Sequence, residues 1–143
     1  MTVARLIEGR SAEAIVACDA AMSVGDAVKL LAEKRIGALP VVSGGMVAGI
    51  FSERDVVYQL AAHGPAMLDK TVGEVMTSPA ITVEPGTEAL GALALMTRRR
   101  IRHLPVVDGE AIAGFVSIGD LVKYRIERIE SEAEAMRSYI QSA

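Results

Sequence analysis

The feature that most constrains this chain is an internal repeat. The segment Leu39-Pro-Val-Val-Ser-Gly-Gly-Met-Val-Ala-Gly-Ile-Phe-Ser-Glu-Arg-Asp55 returns 65 residues later as Leu104-Pro-Val-Val-Asp-Gly-Glu-Ala-Ile-Ala-Gly-Phe-Val-Ser-Ile-Gly-Asp120. From Val16 and Ile81 the copies align without a gap through Leu60 and Arg125, with 14 identities over 45 positions. A unit written twice must fold twice, and each copy has an apolar face to bury against the other. Whatever chemistry the chain carries is expected at the last junction of the unit, where an apolar run ends in Ser-x-x-Asp.

Each unit reads as the same series of elements. Thr2-Val-Ala-Arg-Leu-Ile7 predicts a short helix with Thr2 as cap and Val3, Leu6 and Ile7 as its apolar stripe. It returns as Thr71-Val-Gly-Glu-Val-Met76 at an offset of 69, so the connection through Gly9 to Ala14 is four residues longer in the first copy. A helix follows, with Val24, Val28 and Leu31 repeating as Ala89, Leu93 and Met96. Ser23 or Thr87 can open it, and Lys34-Arg35 or Arg98-Arg99-Arg100 place positive charge at its end. Two strands come next, Leu39 to Val42 and Val47 to Phe51, then Leu104 to Val107 and Ala111 to Val116, each pair joined by a short Gly-containing turn. Pro40 and Pro105 are expected at strand starts, where a missing amide hydrogen is tolerated. A helix closes each unit, Glu53 to Ala62 and Ile118 onward. The second continues as an amphipathic tail whose stripe is Ile126, Ile129, Ala133, Met136, Tyr139 and Ile140, and this needs a surface to lie against.

Composition narrows the functions. At 143 residues with 51% hydrophobic and 23% charged residues, the chain is globular and able to bury a core. A net charge of -3, 3% aromatics and no Trp supply neither a basic field nor stacking platforms for nucleic acid. Apolar runs break after about four to six residues, far short of a membrane span, and the tail's polar face is mainly acidic, which disfavours a membrane surface. The N-terminus shows no signal-peptide core, so a cytoplasmic protein is expected. Cys18 has no internal partner and reads as a buried structural thiol. His63, His103 and Cys18 give no metal-ligand spacing. No nucleophile-base pair or Walker sequence supports an enzyme, and no catalytic residue is assigned.

Ser52-x-x-Asp55 and Ser117-x-x-Asp120 admit two readings. A Ser at a helix start with an acid three residues on is close to a capping box, which satisfies orphan amides with no ligand. The same strand-to-helix junction exposes amide hydrogens and a hydroxyl to an anion, and a carboxylate just inside the helix can accept the two hydroxyls of a ribose.

Gly49-Ile-Phe-Ser-Glu-Arg-Asp55, Gly114-Phe-Val-Ser-Ile-Gly-Asp120 and the two Leu-Pro-Val-Val strands together resemble a tandem pair of CBS domains, the Bateman module, over nearly all of residues 2 to 128. The resemblance implies an α/β (α+β) fold of two β-α-β-β-α repeats, 2–65 and 71–128, packed sheet to sheet in a pseudo-twofold disc, to which the apolar stripe of the tail adds a C-terminal helical extension over 127–143. It implies clefts for adenosyl ligands: AMP foremost, with NAD(H), ADP, ATP or S-adenosylmethionine as further candidates. Asp55 and Asp120 would hold ribose hydroxyls. Ser52, Arg54, Ser117, Arg102 and His103 would face phosphate, with Arg54 serving the first site and Arg102-His103 the second. Adenine would rest against Val16, Gly37, Ala38, Met76, Thr77 and Ile81.

The resulting expectation is a non-enzymatic, stand-alone sensor that binds an adenine nucleotide as effector, forms a homodimer and acts on a separate effector protein or through a change in its own oligomer packing. Its counterpart is a structural or interaction module whose clefts bind nothing.

Overall fold

The computed structural model describes residues 1–11 and 14–142. Residues 12 and 13 of the longer connection, and residue 143 at the end of the expected extension, lie outside the described residues. In chain order the elements are α1 (Val3–Leu6), β1 (Cys18–Asp19), α2 (Val24–Lys34), β2 (Ala38–Ser43), β3 (Met46–Ser52) and α3 (Glu53–His63). A 3-10 helix (Gly64–Asp69) leads to α4 (Val72–Val75), α5 (Ala89–Arg99), β4 (His103–Asp108), β5 (Ala111–Ser117) and α6 (Ile118–Ser142). The two repeats and the C-terminal helix are those expected, and the first unit is a complete β-α-β-β-α, while the opening strand of the second is reduced to a single bridge at Val83.

Sheet pairing repeats as closely as the sequence does. β2 and β3 form an antiparallel hairpin with Ala38 opposite Ser52, and β4 and β5 form another with His103 opposite Ser117. β1 adds to β2 in parallel with Cys18 opposite Val41, and at the equivalent place Val83 bridges Val106 in parallel. β3 and β5 approach each other, joining the halves.

Pro40 and Pro105 stand third in their strands rather than at the start. They are tolerated because each sits at a position that exchanges no hydrogen bonds within its hairpin. The Pro105 carbonyl instead accepts from Val83 N at 3.0 Å, and Ile50, opposite Pro40, pairs outward with Thr77 at 3.0 and 2.8 Å.

The helix ends follow their sequence signals in part. The Ser23 hydroxyl accepts from Asp26 N at 3.1 Å to open α2. α5 opens instead at Glu88, and the Thr87 hydroxyl accepts from Glu84 N one turn earlier. Both helices end on an arginine in the left-handed region, Arg35 at φ 54° and Arg100 at φ 55°. Glycine usually holds that place, so the fold spends local strain to put arginine there.

Two apolar cores result, and the short lead helices are exchanged between them. Val72 and Val75 of α4 pack with Cys18, Leu31, Leu39, Val41, Phe51 and Met67. Val3 of α1 packs with Val83, Met96, Leu104, Val106, Val116 and Leu121. Backbone bonds show the exchange to be symmetric: Val3 N to Thr87 O and Val72 N to Met22 O are both 2.8 Å, and Ala89 N to Met1 O matches Val24 N to Lys70 O. Each helix that opens one unit in sequence therefore completes the core of the other. Cys18 is buried in the first core, and burial, with a smaller push from Asp19, raises its thiol to about 11.

Candidate functional site

The strand-to-helix junctions are built as capping boxes. Asp55 Oδ2 accepts from Ser52 N at 2.8 Å and from Ser52 Oγ at 3.1 Å, while Asp55 Oδ1 accepts from Thr77 Oγ1 at 2.9 Å. Asp120 Oδ2 accepts from Ser117 N at 2.9 Å, and Ser117 Oγ accepts from Asp120 N at 3.1 Å. Capping and a ligand-facing role coexist only if these oxygens retain acceptor capacity, which a carboxylate with about four lone-pair sites has.

The glycines of the same motif allow another element to close over each junction. A Cβ on Gly49 would lie 2.6 Å from Thr77 O and 2.8 Å from Met76 Sδ, and one on Gly114 would lie 2.9 Å from Ile7 Cδ1. Glycine at these two places lets the end of each exchanged lead helix lie directly on the strand that delivers the Ser-x-x-Asp turn. Ser78 Oγ, donating to Ala48 O at 2.9 Å, fixes the same loop on the first side.

Two cavities open beside the junctions. The first, about 380 Å³, is walled by Gly37, Ala38 and Ile50 of the first hairpin, by Thr77, Pro79, Ala80 and Ile81 of the loop before the second unit, and by Ile101. Its polar rim is Ser52, Glu53 and Arg54 from the first unit with Arg100, Arg102 and His103 from the second. Three arginines and one glutamate thus border a hollow with a mainly apolar wall. The second, about 410 Å³, is lined by Gly9, Arg10, Ser11, Ala14, Ile15 and Val16 of the N-terminal segment, by Ile36 and Ala38, and by His103, Ala113, Gly114, Phe115, Ser117 and Asp120.

The expected site residues are therefore largely gathered, in a different grouping. Ser52, Arg54, Gly37, Ala38, Thr77 and Ile81 share the first cavity, and Val16, Ser117 and Asp120 share the second. Arg102, expected beside Ser117, lies instead with Arg54, while His103 lines both cavities. Arg102 and His103 at the start of β4 line the same cavity as Gly37 and Ala38 at the start of β2, which brings Arg102 to the Ser52 junction. Asp55 and Met76 line neither cavity: Asp55 stands behind Ser52 and Thr77, and Met76 is spent against Gly49.

Two arginines add to the expected set. Arg100, which reads as helix-end charge, lines the first cavity, whereas Arg35, at the matching left-handed helix end, lines neither. Arg10 binds Asp120 in the second, with Nη2 to Oδ1 at 3.0 Å and Nη1 to Oδ2 at 3.4 Å. Arg10 lies in the longer connection, where the repeat offers no counterpart to flag it.

The electrostatics follow from these partners. Burial alone would raise the Asp120 carboxyl, but the hydrogen bonds from Arg10 and Ser117 and the Arg10 charge outweigh it and hold the group below 3.8. His103 stacks on Phe115 with ring centroids 5.3 Å apart and planes 13° from parallel. Burial pushes His103 below 6.5, against the pull of Asp120, so its ring is neutral near pH 7. Among the described residues no group of His, Cys, Asp and Glu is arranged to hold a metal ion, and no helix is long and apolar enough to cross a membrane.

Comparison with known proteins agrees with this architecture. A mitochondrial CBS domain-containing protein of Arabidopsis thaliana, CBSX3, is 39% identical over 129 residues, 87% of this chain, and the chain spans 63% of that protein's length. The structure of a protein with CBS domains from Burkholderia ambifaria MC40-6 superposes with a TM-score of 0.81 at 41% identity, covering 89% of this chain and 95% of that one. The structure of CBSX2 in complex with AMP superposes with a TM-score of 0.75 at 27% identity, over 88% and 96% of the two chains. The CBS domain family matches residues 11–62 and 72–127, most of the chain and both repeats, and the protein belongs to that family as a tandem CBS-domain pair.

Proposed function

We propose that the chain is a non-enzymatic regulatory module that binds an adenine nucleotide, AMP foremost, between its two CBS repeats. The observation that carries this reading is the first cavity, where Arg54, Arg100 and Arg102 from both repeats line one hollow with Ala38, Ile50, Ile81 and Ser52. An apolar wall with a few convergent cations suits a flat aromatic base joined to phosphate. Ala38, Ile50 and Ile81 would take the base. Ser52 with the first amides of α3 and the arginines would take the phosphate. Asp55 would reach ribose hydroxyls by yielding its bond to Thr77. In the second cavity Val16, Ser117 and Asp120 would act likewise, after Arg10 leaves Asp120.

The AMP complex of CBSX2, a protein of the same fold, supports an adenosyl ligand. NAD(H), ADP and ATP remain within this reading, because the cationic rim would accept more than one phosphate. Binding would act on a separate effector protein or on assembly of the chain itself, in the cytoplasm. A structural module is the second reading, favoured by one observation: both carboxylates already have protein partners.

A thermal-shift and calorimetric panel of AMP, ADP, ATP, NAD(H) and S-adenosylmethionine tests the proposal. A ligand at a hundredfold excess over its Kd stabilises the fold by about 2.7 kcal/mol, which a melting curve reads directly. A flat response to the whole panel would sink the sensor and leave the structural module.

A further inference from the structure

α6 runs for 25 residues, Ile118–Ser142, and only its beginning is held by the second core, through Ile118, Leu121 and Tyr124. Along the rest, Ile126, Ile129, Met136 and Ile140 are 51%, 48%, 61% and 66% exposed. Together with Val122 and Ala133, these residues recur in alternating steps of four and three: 122, 126, 129, 133, 136, 140. A helix lying on a globular core shows a broader stripe of period 3.6, whereas this strict 3.5-residue period is the seam of a coiled coil.

The charges beside the seam select its partner. With Ile126 and Ala133 at a and Ile129 and Met136 at d, the g positions hold Arg125 and Glu132 and the e positions hold Lys123, Glu130 and Arg137. In a parallel, in-register pair each g residue faces the e residue five places on in the other helix. Arg125 then meets Glu130 and Glu132 meets Arg137, two opposite-charge contacts made twice by symmetry. A fully overlapped antiparallel pair sets Glu130 against Glu130, Glu132 against Glu132 and Lys123 against Arg137, all repulsive. Within its own helix Glu132 binds Arg128 through Oε1 at 3.1 Å, which leaves its second oxygen for a contact across the seam.

We propose that α6 forms a two-stranded parallel coiled coil, from Val122 to Ile140, with the same helix of a second copy of this chain. The inference is independent of any ligand. Both CBS pairs then lie at the same end of the seam, so a change of shape in one bears on the base of the shared helix pair.

Sedimentation of the whole chain at micromolar concentration should give a dimer, and Ile129→Glu should weaken it at least about tenfold by placing charge in the seam. Circular dichroism and melting that match the parent chain at a concentration where both are monomeric would show that the exposed site leaves the fold intact. Glu130→Arg should also weaken the dimer, and adding Arg125→Glu to the same chain should restore it. Under oxidation Ile129→Cys should cross-link to itself, since d faces d in a parallel pair and Cys18 is buried out of reach. A monomeric unmodified chain, which would include a face kept for another protein, overturns the proposal, as does a dimer indifferent to Ile129→Glu. Cross-linking only between mixed Ile129→Cys and Ala133→Cys chains overturns the parallel arrangement.

Discussion

Arg10 and Asp120, 110 positions apart in the chain, meet at 3.0 Å in the second cavity and tie the N-terminal segment to the first turn of α6. Half of the Arg10 side chain is exposed, so the pair itself contributes only about 0–1 kcal/mol. Asp120 also caps α6 through Ser117, and losing a cap costs about 1 kcal/mol more. Urea unfolding at neutral pH should therefore rank Asp120→Ala clearly below Arg10→Ala. Because the folded carboxyl titrates below 3.8, its contribution is present above that value and is lost as the pH falls through the folded value. The difference between Arg10→Ala and the parent chain should vanish over that range. Equal losses in the two variants would mean that the cap contributes nothing.

The grouping of Arg54, Arg100 and Arg102 makes a second expectation specific. If the three face one phosphate-bearing ligand, Arg102→Ala and Arg54→Ala should each weaken AMP binding about tenfold or more, a loss typical of one charge-assisted contact. Each should also flatten the dependence of affinity on salt. Calorimetry at two ionic strengths gives both readouts. An Arg102→Ala chain that loses binding only in the Asp120 cavity would return Arg102 to the second site.

The sequence could announce the units but not how they interlock. Alternation, the Gly-containing turns and the recurrent Ser-x-x-Asp locate hairpins and helix starts within a residue or two, because these are local consequences of backbone geometry. The exchange of α1 and α4 is not local. The offsets of 65 and 69 show that the connection changes length, yet nothing in Val3 or Val72 says which core it fills. The same limit governs the site. Arg102 precedes the strand that leads to Ser117, so linear reading joins the two, while in the fold Arg102 lines the cavity at the Ser52 junction. Arg10 lacks a repeat counterpart, and Arg100 reads as the same helix-end charge as Arg35, from which only its place beside the other unit separates it.

The glycines over which the exchanged helices close should differ in tolerance. At Gly49 a methyl group meets a backbone carbonyl, Thr77 O at 2.6 Å, and the Thr77 strand bond to Ile50 has to move. At Gly114 it meets only side-chain atoms of Ile7, Cδ1 at 2.9 Å, Cγ2 at 3.0 Å and Cβ at 3.4 Å, and no backbone bond has to break for them to shift. Gly49→Ala should cost about 1–3 kcal/mol in the range of overpacking, and Gly114→Ala less. Denaturant midpoints check the order. The reverse order would show that the Thr77 loop yields more readily than α1.

His103 offers a pH readout of both cavities at once, since its ring borders each and stacks on Phe115. Burial, reinforced by Arg102 and opposed by Asp120 and Glu53, holds its pKa below 6.5. The unfolded chain therefore takes up this proton first as the pH drops, and its contribution to stability is fully present above about 6.5 and is lost as the pH falls through the folded value. A phosphate brought near the ring reverses the balance by favouring the imidazolium, so AMP binding should draw a proton onto His103 and tighten as the pH falls from 7.5 toward 6. Following the ring resonances by NMR with and without AMP gives both midpoints, and His103→Gln should remove the proton uptake seen by calorimetry in buffers of different ionisation enthalpy. A midpoint that AMP leaves unmoved would place the phosphate out of reach of His103, at the Arg54 side of the first cavity.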